Sequence, residues 1–161
     1  MQTIEEKADF LRNDYLPMLR ALPASTPRLW GKLSQQGVVE HMADAVRMAN
    51  GHDLYDCDLT EAHIEKMHDF IRSEKPFREN TVNALLPAEP LPLRWDTKEE
   101  ALEELQNEMN AFFDLFADDH ARLVTNPFFG DLDYELWVRL LYKHAGHHLR
   151  QFGMDVALPA A

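Results

Sequence analysis

Apolar residues recur at spacings of three and four in four segments, and no segment shows the alternation typical of a strand. The first predicted helix runs from about Thr3 to Ala21, and the second runs from Ser34, a suitable N-cap, to Gly51. The third starts at Thr97, where Thr-x-x-Glu is typical of a capping box. The fourth begins after a further cap, Asp133, and ends at Gly153. The pattern therefore predicts four main helices.

The connection between the second and third helices is long, roughly 45 residues, whereas the others are short. It contains a short helix candidate, Thr60–Ser73, and a proline-punctuated stretch, Pro76–Pro92. We expect the proline-rich stretch to cover one face of the helices, with a mobile loop as the alternative. One long connection is typical of a four-helix bundle with a crossover, here between helices 2 and 3. We predict an all-α fold in a single domain over residues 1–161.

The histidines differ in the helix face they occupy. On the second helix, His41 shares the apolar line of Val38 and Ala45, while Gln36, Glu40, Asp44 and Arg47 form the side predicted to face solvent. On the fourth helix, His144 and His148 continue the apolar stripe of Trp137 and Leu141. These three imidazoles are predicted to point inward.

The remaining five histidines are predicted to lie at the surface. His147 belongs to the basic line of Arg139, Lys143 and Arg150, which is typical of a solvated helix face. The other four lie near helix ends or on the short amphipathic segment: His52, His63, His68 and His120.

Three inward imidazoles allow two interpretations. Each buried polar group costs about 1–3 kcal/mol unless it is paired. A divalent metal would satisfy all three together, because His-x-x-x-His on a helix places two ring nitrogens on one side of an ion. Alternatively, each is a core histidine that bonds to a carbonyl or carboxylate. Both interpretations stay open at this point.

Composition narrows the function classes. The chain is 45% hydrophobic and 27% charged, as in soluble globular proteins, and its net charge of −12 disfavours nucleic acid and anionic membrane surfaces as partners. Cys57 is the only cysteine, which excludes an intramolecular disulfide and a thiolate metal cluster. No signal peptide or membrane-spanning segment is visible, so we expect a cytoplasmic protein.

Three motifs resemble a known family: Trp30-Gly-Lys-Leu-Ser-Gln-Gln-Gly-Val-Val-Glu-His41, Asn126-Pro-Phe-Phe-Gly-Asp-Leu132 and Lys143-His-Ala-Gly-His-His-Leu-Arg-Gln-Phe-Gly153. Together they resemble a functionally uncharacterised branch of the DinB-like superfamily, whose chains end in His-x-x-His-His-Leu-Arg-Gln. The resemblance implies a four-helix bundle with one crossover. It also implies a divalent metal ion held by His41, His144 and His148, and a homodimer.

The chemistry implied by the resemblance is that of a metal-dependent enzyme, of transferase or hydrolase type, acting on a small molecule. Three histidine ligands leave an open position on the ion, and zinc suits imidazole best, with nickel or iron as alternatives. The superfamily's thiol transferases tend to continue His-Arg-Gly-Gln after the last ligand, whereas this chain reads Leu149-Arg150-Gln151. A thiol cosubstrate is therefore not carried over. The rival hypotheses are a non-catalytic metal-binding or dimerisation module and an interaction bundle without metal.

Four further features have weaker functional interpretations. Gln151 is either a contact to substrate or metal ligand or a surface amide, and Trp30 and Tyr142 either line a cavity or belong to the core. Glu65-x-x-His68 is a single copy of a motif that di-iron bundles need twice, so that site is not expected. Cys57 lies between two aspartates that suppress its thiolate, which favours a loop cysteine without a catalytic role.

Overall fold

The computed structural model describes residues 2–79 and 90–155, and the chain is mostly helical, as predicted. The first helix is continuous but changes pitch, because a π-helical turn, Phe10–Asp14, separates its two α-helical parts. The α-helices are α1 (Ile4–Asp9), α2 (Tyr15–Ala21), α3 (Gln35–Ala49), α4 (Glu61–Arg72), α5 (Lys98–Phe116) and α6 (Tyr134–Gln151). None of the described helices is both long and apolar enough to cross a membrane.

The helix starts are set by side-chain caps. In each case a side-chain oxygen accepts a hydrogen bond from a backbone N–H in the first turn, which would otherwise lack a partner. The capping residues are Ser34 for α3, Thr60 for α4, Thr97 for α5 and Asp133 for α6. The predicted starts of the four later helices are confirmed.

One contiguous core lies between the helices. α3 packs most extensively on α5, and α6 contacts α1, α3 and α4. The largest fully buried side chains include Trp137, Tyr15, Phe112 and Phe116. Burial of the apolar stripes that define these helices in the sequence is therefore the main stabilising contribution.

A small β-hairpin corrects the expectation that the chain has no strands. Strands β1 (Val124–Asn126) and β2 (Gly130–Leu132) pair antiparallel, and the Asn126 Oδ1 accepts from the backbone N–H of Phe128 at 2.8 Å. Gly130 has φ +80°, and a Cβ there would approach Ile64 of α4 to 2.9 Å. The hairpin therefore depends on a glycine to lie close to α4. Each strand has only three residues, too few for an alternating pattern to be recognised.

The side of α3 predicted to face solvent is partly covered. Glu40 is only 5% exposed, and its Oε1 accepts from the backbone N–H of Arg94 at 2.6 Å. The Arg94 guanidinium also forms ion pairs with Asp44 and Glu104. The end of the long connection is thus fixed on α3, which a helical pattern alone does not reveal. Most of the predicted proline-rich cover falls on residues 80–89, outside the described residues.

A buried carboxylate, Glu108 of α5, forms a second link to α3. Its Oε2 accepts from Asn50 Nδ2 at 2.9 Å and lies 2.7 Å from His52 Nδ1. The Arg47 Nη1 lies 3.7 Å from the Glu108 Oε1, and the same guanidinium forms an ion pair with Asp53. We refer to Arg47, Asn50, His52, Asp53 and Glu108 as the Glu108 cluster.

Candidate metal centre

The structure brings the three inward histidines together. His144 and His148 lie one turn apart on α6, and His41 reaches them from α3. The His41 Nε2 is 3.0 Å from the His144 Nε2, which is 2.9 Å from the His148 Nε2. These three are the one group of His, Cys, Asp or Glu ligand atoms close enough to share a metal ion within residues 2–79 and 90–155.

Burial keeps these imidazoles neutral. It lowers the pKa of His41, although nearby Asp44 opposes the shift, and it lowers the pKa of His144 well below its ordinary value. Burial, followed by repulsion from His41, lowers the pKa of His148 to about 3. A metal ligand must be the neutral imidazole with a free lone pair, which is the form favoured here at neutral pH.

Counting protons shows that the three rings do not satisfy one another. Gln151 Oε1 lies 2.7 Å from His148 Nδ1 and can only accept, so Nδ1 carries the proton and the His148 Nε2 presents a lone pair. One proton on the His144 Nε2 would then have to serve both neighbouring nitrogens. If that proton is absent, two lone pairs face each other at 2.9 Å. A cation at the centre would accept all three lone pairs.

The spacing is close to that of a real zinc site. Zinc–nitrogen bonds of about 2.0–2.1 Å in tetrahedral geometry separate the ligand nitrogens by about 3.3–3.4 Å. The nitrogens of His144 and its two neighbours need to move apart by only about 0.3–0.5 Å to reach that spacing.

Gln151 is fixed from both sides. It is 4% exposed, and its backbone carbonyl accepts from the N–H of Leu29 at 2.6 Å. Gly31 has φ +80°, and a Cβ there would lie 2.4 Å from Gln151 Nε2. The alternative of a surface amide is therefore wrong. The segment Leu29–Gly31 packs against the residue that bonds His148, which is the structural reason for the glycine.

The surface prediction for His147 is also wrong. Its ring packs against Trp30 at 4.7 Å and Phe77 at 5.7 Å between centroids, and its buried Nδ1 has no hydrogen-bond partner among the described residues. Burial, followed by repulsion from Arg150, lowers its pKa to about 4. His147 lies beside the three histidines without joining them. The flanking segments that enclose it could not be placed from the helical pattern.

The other histidine predictions hold with one exception. His52, His63 and His120 are exposed. His68 is partly buried, and its Nε2 lies 2.9 Å from the carbonyl oxygen of Phe129 in the hairpin, so its surface prediction is wrong.

The remaining candidates do not form sites of their own. Glu65 is exposed, and neither it nor Cys57 belongs to a group of metal-ligand atoms in the described ranges. Tyr142 is 8% exposed, packs on Phe10 and donates from its hydroxyl to Gln2, so it belongs to the edge of the core, and it also lines a cleft.

No family model, curated protein or solved structure matches this chain. Any function proposed for the chain is therefore argued from the geometry around His41, His144 and His148.

Proposed function

We propose that the chain binds one divalent transition-metal ion through the Nε2 atoms of His41, His144 and His148, and that its helices form a DinB-like four-helix bundle with a crossover between α3 and α5. The observation that carries the proposal is the convergence of three neutral imidazoles whose protons cannot satisfy one another. Zinc is the first choice for such a donor set, with nickel or iron as alternatives.

Gln151 supports this assignment through the orientation of His148. By accepting from Nδ1–H, its amide oxygen favours the tautomer whose lone pair is on Nε2. Metal-binding histidines usually make such a hydrogen bond with their second nitrogen. Gln151 is thus a positioning residue in this proposal, instead of a direct contact to substrate.

We assign the site to a metal-dependent enzyme that acts on a small molecule, as a transferase or hydrolase. The group holds three protein ligands in the described part of the chain, and a zinc ion with three protein ligands keeps a position for water or substrate. The bound ion would supply a lowered pKa of water or thiol, or a polarised carbonyl. Trp30 and Phe77 pack around His147 beside the site, where they would offer apolar contact to a substrate.

A non-catalytic role is the second candidate, and one observation favours it. His41 and His144 belong to different helices and lie 103 positions apart in the sequence, so a shared ion would tie α3 to α6. In this alternative a further ligand would close the coordination sphere.

Metal analysis of the full chain, purified without chelator, tests both candidates together. We expect about one equivalent of a transition metal per chain. If the protein holds less than about 0.1 equivalent even after incubation with zinc, nickel or iron(II) salts, both candidates are excluded.

Cobalt substitution then separates the two candidates. If the position is open, the visible spectrum of the Co²⁺ protein changes when a small thiol or azide is added, whereas a closed site leaves it unchanged. A screen of thiols with activated electrophiles, and of hydrolysable esters, on the metal-loaded protein would then identify the reaction type.

A further inference from the structure

A cleft lies on the face of α6 that turns away from the candidate metal centre. It has a volume of about 410 Å³ and is bordered by the start of α1, by residues 73–76 after the end of α4, and by Asp155. Five residues of α6 line it at helical spacing: Arg139, Tyr142, Lys143, Gly146 and Arg150. The metal-site residues His144 and His148 lie on a different stripe of the same helix, so the two sites are separate.

Lys7 is the unusual residue in this cleft, because its charged side chain is 4% exposed. Within the described residues the carboxylate nearest to its ammonium is that of Glu74, at 3.5 Å, and the ammonium lies 5.0 Å from the centroid of the Tyr142 ring. Among the described residues, no acceptor lies closer to this ammonium than the Glu74 carboxylate. A buried ammonium needs close acceptors to offset the loss of water, and this one has unused donors.

Lys143 adds a second ammonium to the same wall. It donates to the backbone carbonyls of Ser73, at 2.9 Å, and of Lys75. Carbonyl oxygens satisfy N–H donors but do not neutralise the charge. Arg150 also lines the cleft, and no ion pair to it is seen in the described part of the chain.

The charge of the cleft is opposite to that of the molecule. Five cationic and three anionic side chains line it, whereas the whole chain carries −12. Its volume is within the usual range for small-molecule sites. An anion entering it would be attracted locally and would provide the acceptors that Lys7 lacks.

We infer that this cleft binds the carboxylate or phosphate group of a small molecule, with Lys7, Lys143 and Arg150 as its cationic contacts. Both groups are oxyanions with several acceptor atoms, which suits more than one ammonium donor at a time. The inference does not depend on a bound metal.

Titration of the metal-free full chain tests the inference, with inorganic phosphate and succinate as probes and sodium chloride at matched ionic strength as the reference. Backbone amide NMR signals near Lys7, Ser73 and Gly146 are expected to shift and saturate at about millimolar concentrations of at least one probe. The probe that binds more tightly assigns the group as phosphate or carboxylate. Absence of saturation with both probes would overturn the inference.

Three variants locate the binding. Lys7→Met keeps the apolar stem and is expected to weaken binding about tenfold, and Arg150→Gln provides the same test at a more exposed position should Lys7→Met fail to fold. Lys66→Met removes an exposed lysine of α4 outside the cleft and should leave binding unchanged. Equal weakening by Lys66→Met, or loss of binding in His148→Ala, would show that the anion binds elsewhere.

Discussion

α3 contributes to two partly buried polar groups that differ in one respect. In the Glu108 cluster, a carboxylate meets an amide, an imidazole and a guanidinium, so donors face acceptors. At the candidate metal centre, three imidazoles face one another, and His148 has its second nitrogen already committed to Gln151. In the first group the described residues supply both donors and acceptors, whereas the second brings three like groups together.

The complementarity of the partners, more than burial or residue type, distinguishes the Glu108 cluster from the candidate metal centre. Both groups contain histidine, and both join α3 to another helix. Burying polar groups is tolerated when each finds a complementary partner. A buried cluster of like polar groups destabilises the fold unless a ligand pairs with them. A metal ion is a suitable ligand for neutral imidazoles.

The largest expected effect is a loss of zinc affinity in His148→Ala that the adjacent variant His147→Ala does not share. His148→Ala removes a ligand and should weaken zinc binding by about 1,000-fold, while His147→Ala should change it less than about threefold. Competition with a chromogenic chelator measures both values. Equal loss in the two variants would contradict the assignment of His148 over its neighbour.

Removing the central carboxylate of the other cluster should affect folding and leave metal binding unchanged. Glu108→Ala removes the carboxylate shared by Asn50, His52 and Arg47, although the Asn50 amide keeps the Glu108 backbone carbonyl as an acceptor. The free energy of unfolding is expected to fall by about 2 kcal/mol. Glu103→Ala, at an exposed position of α5, should change it by less than about 0.5 kcal/mol. Urea unfolding of metal-free protein measures both, and a Glu108→Ala variant that loses zinc would break the proposed separation of the clusters.

Substitution of Gln151 is expected to have an intermediate effect on zinc affinity, because it changes only the orientation and tautomer of the His148 ring. Gln151→Leu removes the acceptor for His148 Nδ1 and should weaken zinc binding about tenfold, whereas Gln151→Glu keeps an acceptor and should restore it. The ¹⁵N shifts of the His148 ring in metal-free protein report the tautomer directly. A wild-type ring protonated on Nε2 would contradict the positioning role even if the affinities agreed.

The stability of the metal-free protein should also depend on pH. The pKa of His148 is lowered to about 3 and that of His147 to about 4, so the unfolded chain binds protons more readily than the folded one. Stability should be greatest above the unfolded pKa near 6.5 and fall steadily as the pH drops from about 7 towards 4. The urea midpoint measured with chelator present should follow this trend, and His148→Gln should flatten it. A midpoint that rises on acidification would contradict the buried neutral state.

The sequence was informative where a local pattern decides the structure. Caps such as Ser34 and Asp133 act within one turn of the chain, and the inward direction of His41, His144 and His148 follows from helical spacing. Gln151 follows His148 by three positions, so their proximity was visible, but the tautomer that it selects required its burial by Leu29–Gly31.

The errors concern parts of helices that other segments cover. Glu40 and His147 lie on faces with polar neighbours, and each is enclosed by chain that is distant in sequence, around Arg94 and Phe77 respectively. A helical pattern describes one helix and contains no information about which loop packs on it. The hairpin was missed for a different reason, because three-residue strands do not produce a pattern.

The sequence separation of His41 and His144 would affect the lifetime of the protein if the proposed ion is bound. His41 and His144 are 103 positions apart, so an ion held by both closes a loop that spans most of the chain. Such a closure resembles a long-range disulfide in the freedom it removes from the opened chain, but it is reversible and needs no oxidant. Resistance to proteases would then vary with the metal supply, and a chain deprived of its ion would be degraded before a loaded one.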